Sequence, residues 1–216
     1  MGIERARVVE VHSVASSSGC VGSGYLVSDR LVLTAGAGVG RDGSTDVRRA
    51  GTGPWVPASA VWVAADADAA LLEVAEASDL SCSPAPLRWG QVVGRGTVAV
   101  TAVGFPSAHG RPERVRDPEQ FMGTLSRVAP ESFAVAPTGR SGLRAGDGMS
   151  GAGLFAGAHL VGVLLVEAGP ATRLRAVPVA LLADDPSFVE LVGTGQGLAL
   201  TPVSAPSVAF AILQAP

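Results

Sequence analysis

The sequence has few cysteines, few charged residues and no long apolar run, and each shortage excludes a class of protein. Its two cysteines, Cys20 and Cys82, lie in no C-x-x-C spacing, so neither a zinc site nor a disulfide framework is expected. Charged residues make up 16% of the chain and the net charge is −3, without a basic block to bind nucleic acid. The chain contains no run of about 18 apolar residues, which is the length needed to span a membrane.

The first residues of the chain, MGIERARVVEVHS, lack the apolar core and the small-residue cleavage site of a secretory signal. The sequence therefore predicts a cytoplasmic protein. In that setting the two cysteines are expected to be buried free thiols, and a single bridge is the disfavoured alternative.

What the sequence does contain indicates an all-β protein. Hydrophobic residues make up 47% of the chain, which excludes a disordered polypeptide. With 28 glycines and 15 prolines, short β-branched segments are interrupted every eight to twelve residues or so. The strands predicted from this pattern cover residues 6–12, 22–27, 31–34, 60–64, 70–74, 97–103, 120–128, 132–136, 153–155 and 159–166. One short helix is predicted near the end, with Asp184 or Asp185 as N-cap, Pro186 in the first turn and Gly193 as the stop.

Three segments contain the residue types that hydrolytic chemistry uses. They are GSGYLVSDRLVLTAGAGV at residues 22–39, DADAALLEV at 66–74 and GDGMSGAGLFAGAHLVGVLL at 146–165. A serine hydroxyl becomes a good nucleophile when an imidazole accepts its proton, and a carboxylate must orient that imidazole. In this order and with these flanking residues, the three segments resemble the trypsin-like serine peptidases of the chymotrypsin fold, especially bacterial members without an activation peptide.

The resemblance implies two six-stranded antiparallel β-barrels with the active site between them, followed by a short C-terminal helix. The segment between Gly104 and Pro118 is rich in proline, glycine and charge, and its composition marks the best internal boundary. The chain is therefore divided into a first barrel at residues 1–104, a linker at 105–118, a second barrel at 119–183 and a C-terminal helix and apolar tail at 184–216. The resemblance also implies a polypeptide substrate and no metal or organic cofactor. Further domains or a regulatory protein would control the activity. Neither a nucleic acid nor a membrane is expected as a partner.

By the same resemblance, Ser150 is the nucleophile, and the amides of Gly148 and Ser150 form the oxyanion hole. The acid is Asp68, which fits the family pattern DxALL better than Asp66 does. The histidines His12, His109 and His159 lie outside the family's base position and are expected to be ordinary surface or strand-end residues. An α/β-hydrolase is excluded by order, because its nucleophile precedes the acid and the base.

The sequence departs from the family pattern at Ala37, which occupies the position of the histidine base in TAxHxV. Without that base the chain is expected to be nearly inactive as a peptidase. The otherwise intact site favours a deliberate His-to-Ala substitution, and the alternative is a natural pseudopeptidase that binds peptides or proteins.

Residues around the substrate pocket are assigned by the resemblance alone. Arg144 lies shortly before the nucleophile and would favour an acidic substrate side chain, whereas Glu167, next to Val166 in the pocket wall, would favour a basic one. The two charges could instead pair with each other, so the sequence leaves specificity open.

Overall fold

The computed structural model describes residues 3–13, 20–39, 45–49, 53–75, 80, 86–106, 117–138, 147–167, 173–193 and 197–205. Within these ranges the chain is almost entirely β-structure. The strands are β1 (Val8–Ser13), β2 (Cys20–Leu26), β3 (Leu31–Thr34), β4 (Thr45–Arg49), β5 (Val56–Val63), β6 (Ala70–Val74), β7 (Trp89–Val92), β8 (Val98–Gly104), β9 (Glu119–Ala129), β10 (Ser132–Pro137), β11 (Gly153–Ala156), β12 (His159–Glu167), β13 (Arg173–Pro178) and β14 (Leu200–Val203). Two short helices, α1 (Val179–Leu182) and α2 (Pro186–Val192), lie between β13 and β14.

The first six strands form a closed antiparallel barrel in the order β1-β2-β3-β6-β5-β4. Its interior is filled by aliphatic side chains such as Val9, Val32 and Leu72, all of which are buried. Gly24 permits this packing, because a Cβ built on it would lie 2.6 Å from Cγ1 of Val32. Strand β3, with the apolar sequence LVLT, is buried along its whole length.

The second barrel follows the order β11-β8-β9-β10-β13-β12 and is closed by pairing between β11 and β12. Strands β7 and β14 extend it, because β7 pairs in parallel with both β12 and β14. The prediction of two six-stranded antiparallel barrels is confirmed. Strands β4, β7, β13 and β14 were not predicted from the sequence.

The barrels divide earlier in the chain than the sequence predicted. Strand β8 belongs to the second barrel and pairs with β9 from Val98 to Gly104, so a first barrel at residues 1–104 is too long. The glycine- and proline-rich segment at 105–118 connects two neighbouring strands of one barrel. Such a composition marks any long connection and does not distinguish a hairpin loop from a linker. Residues 107–116 of this segment lie outside the described residues.

Helix α2 packs against both barrels. Its buried Phe188 lies 4.9 Å from the Trp62 ring of β5 and 6.0 Å from the Trp89 ring of β7, measured between ring centroids. Asp185 caps the helix by accepting a hydrogen bond from the Ser187 amide at 2.8 Å, and its second oxygen accepts one from the Trp62 indole at 2.9 Å. The predicted helix is therefore confirmed, with Asp185 as its N-cap, and it clamps the two barrels together.

We expect Phe188→Ala to destabilise the protein by about 3–5 kcal/mol, because it removes a buried aromatic ring between two tryptophans. Urea unfolding followed by tryptophan fluorescence measures the change. Leu191→Ala is the matched control, because Leu191 lies on the same helix with 39% of its surface exposed and should change stability by about 0.5 kcal/mol or less. Equal effects of the two substitutions would contradict a clamping role for α2.

We also expect a pH-dependent contribution from Asp185. The Trp62 indole and the Ser187 amide hold the pKa of its carboxyl below the usual value. A carboxyl with a lowered pKa stabilises the fold above its unfolded pKa of about 3.9, and this stabilisation is lost as the pH falls through the folded value.

Asp185→Asn retains an acceptor for the helix cap but carries no charge. The difference in unfolding free energy between the two proteins should therefore be largest at neutral pH and shrink below about pH 4. Urea unfolding at a series of pH values tests this, and a difference that is constant with pH would count against it.

Candidate active site

Ser23 of β2 joins the two barrels at the cleft between them. Its amide donates to the carbonyl oxygen of Ser150 at 2.8 Å, and its hydroxyl donates to the carbonyl oxygen of Gly148 at 2.7 Å. The same hydroxyl accepts a hydrogen bond from the Phe105 amide at 2.9 Å. Because Ser23 is fully buried, water does not compete for these bonds, and they hold the segment around Ser150 against the first barrel.

Gly151 brings the segment after Ser150 against the end of β3. Its φ of +91° favours glycine, and a Cβ there would clash with the Ser23 carbonyl oxygen and the Thr34 hydroxyl. Thr34 itself is buried and donates its hydroxyl to that same carbonyl oxygen at 2.8 Å. The turn that carries Ser150 can therefore approach Thr34 only because residue 151 has no side chain. This contact places Ser150 beside the chain that continues from Thr34 to position 37.

Asp68 lies on the other side of the same chain segment. Thr34 pairs with Ala70 at the start of β6, so the residues just before β6 face those just after β3. As a result, Oδ1 of Asp68 accepts a hydrogen bond from the backbone amide of Ala37 at 2.5 Å. Asp68 is half-buried, whereas Asp66 and Ala37 are exposed. Of the two candidate acids, Asp68 is the one in contact with the position where the base was expected.

The Ser150 hydroxyl faces strand β12. Its oxygen accepts a hydrogen bond from the Val166 amide at 3.2 Å, and the neighbouring Gly151 amide donates to the carbonyl oxygen of Leu164 at 2.8 Å. The predicted wall residue Val166 thus contacts Ser150 through its backbone amide. The predicted nucleophile is half-buried in a turn, and its hydroxyl lies against strand β12.

The predicted oxyanion donors lie in a 3-10 turn, Asp147–Met149, that leads into Ser150. In such a turn a carbonyl accepts a hydrogen bond from the amide three residues later, so the Asp147 carbonyl faces the Ser150 amide. The oxyanion hole formed by the Gly148 and Ser150 amides stays a prediction.

Glu167 has a partner that the sequence did not suggest. Its carboxylate accepts a hydrogen bond from the Arg175 guanidinium at 2.8 Å, and both side chains are exposed. Arg175 also donates two hydrogen bonds to the Ser132 hydroxyl, at 2.7 and 3.0 Å. Arg144 lies outside the described residues. The negative charge of Glu167 in the predicted pocket wall is therefore partly compensated by Arg175 of strand β13. This pairing weakens the argument that the pocket selects a basic substrate side chain.

The described histidines lie elsewhere in the fold. His12 pairs with Val21 and Asp46 in β1, and His159 pairs with Ala156 at the start of β12. His109 lies outside the described residues. Across the described ranges no three His, Cys, Asp or Glu side chains form a group that could hold a metal ion. The helices in those ranges are too short or too polar to cross a membrane.

Sequence reasoning did not identify Ser23 and Thr34 as residues that position the site. Both lie in segments that carried the family resemblance, GSGYLV and LVLTA. The available signal was a hydroxyl residue in an otherwise apolar, buried strand, because such a group must find a hydrogen-bond partner. Their partners lie in the other barrel or on the neighbouring strand, so the signal could suggest a contact but not its location.

Comparison with known proteins identifies the family of the chain and agrees with its fold. A family model described as a trypsin-like peptidase domain matches residues 22–163, more than half of the chain. The MamO protease domain of Magnetospirillum magneticum is 20% identical with a TM-score of 0.62, over 83% of this chain and 95% of that one. The active form of the Rv3671c protease of M. tuberculosis is 17% identical with a TM-score of 0.63, over 92% and 84%. A comparison with curated proteins finds no match.

We expect Ser23→Ala to destabilise the protein by about 1–3 kcal/mol, because it leaves the buried Gly148 carbonyl and Phe105 amide without their partner. Urea unfolding measures the loss. Ser59→Ala is the matched control, since Ser59 is an exposed serine on strand β5 and its substitution should cost about 0.5 kcal/mol or less. If Ser23→Ala proved as mild as the control, the joint between the barrels would not depend on this hydroxyl.

Proposed function

Since the chain belongs to the trypsin-like peptidase family, we propose that it is a serine endopeptidase unit in which Ala37 replaces the general base. Its ligand is a polypeptide bound in the cleft between the barrels. Ser150 is the nucleophile, Asp68 is the acid, and the amides of Gly148 and Ser150 stabilise the developing oxyanion. The observation that carries this proposal is the contact of the Asp68 carboxylate with the backbone of position 37, beside the turn that presents Ser150.

In this mechanism the Ser150 oxygen attacks the carbonyl carbon of the substrate and forms an acyl-enzyme, which water then hydrolyses. The hydroxyl proton must pass to a base, and Asp68 would orient that base and stabilise its charged form. Ala37 cannot accept a proton. In a comparable triad the loss of the histidine lowers turnover by about 2 × 10⁶, and a residual acceleration of roughly 10³ to 10⁴ over water remains.

The state of the remaining site supports a His-to-Ala substitution as the origin of Ala37. The nucleophile, the acid, Gly151 and the buried contacts of Ser23 are all present together. A chain that had long been free of catalysis would have no need to keep this combination.

A second candidate function is a pseudopeptidase that binds a peptide or protein without cleaving it. The observation that favours it is Ala37 itself, together with a Ser150 hydroxyl that accepts a hydrogen bond from the Val166 amide instead of donating to an imidazole. The same cleft would then hold a polypeptide through its walls alone.

Restoring the base tests the peptidase proposal. We expect Ala37→His to react with a fluorophosphonate probe at Ser150, because the new imidazole can accept the hydroxyl proton while Asp68 holds it. The gain over the unchanged chain should be at least about 10²-fold in labelling rate. Peptide mapping by mass spectrometry locates the label, and the double variant Ala37→His with Ser150→Ala is the control.

A folded Ala37→His protein that is not labelled at Ser150 would overturn the proposal and leave the binding module. In the labelled variant, adding Asp68→Asn should lower peptidase turnover by about 10⁴. A small loss on that change would move the role of the acid to Asp66.

A further inference from the structure

A cavity outside the cleft lies between helix α2 and the first barrel. Its volume is about 740 Å³, and pockets that bind ligands have volumes of roughly 300–1,000 Å³. One wall is formed by the turn between β2 and β3, at residues 28–30, by Leu31 of β3 and by Glu73 of β6. The other wall is formed by helix α2 and Gly193. We call this space the helix cavity.

The helix cavity and the candidate active site lie at opposite ends of strand β3. Leu31 begins this strand, and Thr34, which contacts Gly151, ends it. Three steps along an extended strand span about 10 Å. None of the residues that line the helix cavity belongs to the candidate active site. A ligand in this cavity therefore occupies a separate site.

Backbone hydrogen bonds fix the barrel wall of the helix cavity. The Val27 amide donates to the Leu31 carbonyl oxygen at 2.8 Å, and the Val74 amide donates to the Arg30 carbonyl oxygen at 3.0 Å. The Ser28 hydroxyl accepts hydrogen bonds from the amides of Arg30 and Leu31, at 3.2 and 3.0 Å. Helix α2, which forms the opposite wall, is held between the barrels by its buried aromatic ring. The helix cavity is therefore preformed in the fold.

Helix α2 lines the cavity with Ser187, Glu190 and Leu191. These residues are three or four positions apart, so they lie on one face of the helix, whereas the buried Phe188 packs against the barrels. Leu191 has 39% of its surface exposed, although it is large and apolar. Glu190 next to it is exposed as well. This helix face combines an apolar surface with a negative charge.

The charges that line the helix cavity are mostly negative. Three carboxylates, those of Asp29, Glu73 and Glu190, lie there with one guanidinium, that of Arg30. Arg30 lies 3.4 Å from Glu73, so these two charges offset each other. Within the described part of the chain, the side chains of Asp29 and Glu190 form no hydrogen bond or ion pair. Two uncompensated negative charges therefore face the cavity, one from each wall.

We propose that the helix cavity binds a basic segment of another polypeptide, in which lysine or arginine alternates with apolar residues. The cationic groups face Asp29 and Glu190, and the apolar side chains cover Leu191 and Val192. A free polyamine can neutralise the carboxylates but leaves the exposed leucine uncovered. The same negative charges repel nucleic acids and anionic membranes. This binding goes beyond the proposed function and does not depend on it.

Fluorescence polarisation tests the proposal with the unchanged chain and a fluorescein-labelled peptide in which leucine and lysine alternate. We expect saturable binding that weakens as salt is added, because exposed charges are screened. A peptide in which leucine and glutamate alternate should not bind. Glu190→Lys should lower the affinity for the lysine peptide by about tenfold, because it replaces an attraction between exposed charges by a repulsion.

Glu131→Lys is the matched control, since it changes the net charge equally. Glu131 is exposed in the turn between β9 and β10 of the second barrel, and its substitution should change the affinity by about twofold or less. Leu191→Ala tests the apolar contact and should lower the affinity by about fivefold, because less apolar surface is buried on binding. All three residues are exposed, and circular dichroism confirms that the variants are folded.

A loss of affinity in Glu190→Lys and Leu191→Ala, but not in Glu131→Lys, supports the helix cavity as the binding site. Equal losses in the two lysine variants indicate general charge attraction and overturn the proposal. Absence of saturable binding overturns it, as does binding that Glu190→Lys leaves unchanged, which lies elsewhere on the protein. If Leu191→Ala binds normally, or if spermidine competes as strongly as unlabelled peptide, the ligand is a small cation and the polypeptide is excluded.

These outcomes are independent of the proposed function. Labelling of Ala37→His at Ser150 reports on the cleft, whereas the polarisation measurement compares variants of the helix cavity. Either proposal can therefore fail while the other stands.

Discussion

The buried hydrogen bonds of Ser23 are the constraint on which the site depends. Each barrel is closed and satisfies most of its own backbone groups, so few polar contacts are left to determine how one barrel faces the other. Ser23 supplies three of them, to Ser150, Gly148 and Phe105. Because they are shielded from water, leaving any one of them unmade is costly. The position of the segment around Ser150 is therefore determined by a strand of the opposite barrel.

The second constraint is the contact between Asp68 and the backbone of residue 37. Asp68 is held by the backbone amide of residue 37, and this contact does not depend on the side chain at that position. The close approach of Gly151 to Thr34 and to the Ala35 amide also does not involve the side chain of residue 37. These contacts are therefore independent of which side chain occupies position 37.

The sequence predicted the strands whose residues are apolar and β-branched, and it predicted helix α2 from its cap, proline and final glycine. It missed β4, whose sequence TDVRR does not look like a buried strand. In the structure Arg48 of β4 is buried against the equally buried Glu10 of β1, at 2.7 Å. Charged residues are buried in this way only when a partner on another strand compensates them, and the sequence does not show which residues are partners. Strands β7 and β14 are short and contain glycine or proline, so their pattern alone is weak.

The sequence by itself determined which positions are candidates for catalysis: a serine flanked closely by glycines, an aspartate before an apolar strand, and an alanine where a base was expected. These features are local, and a few neighbouring residues define each of them. Only the tertiary structure decided that Ser23 holds the segment around Ser150, that Asp68 rather than Asp66 contacts position 37, and that Glu167 pairs with Arg175. The physical reason is that a hydrogen bond or an ion pair requires atoms within about 3 Å. The folded strands bring such atoms together from residues that are far apart in the chain.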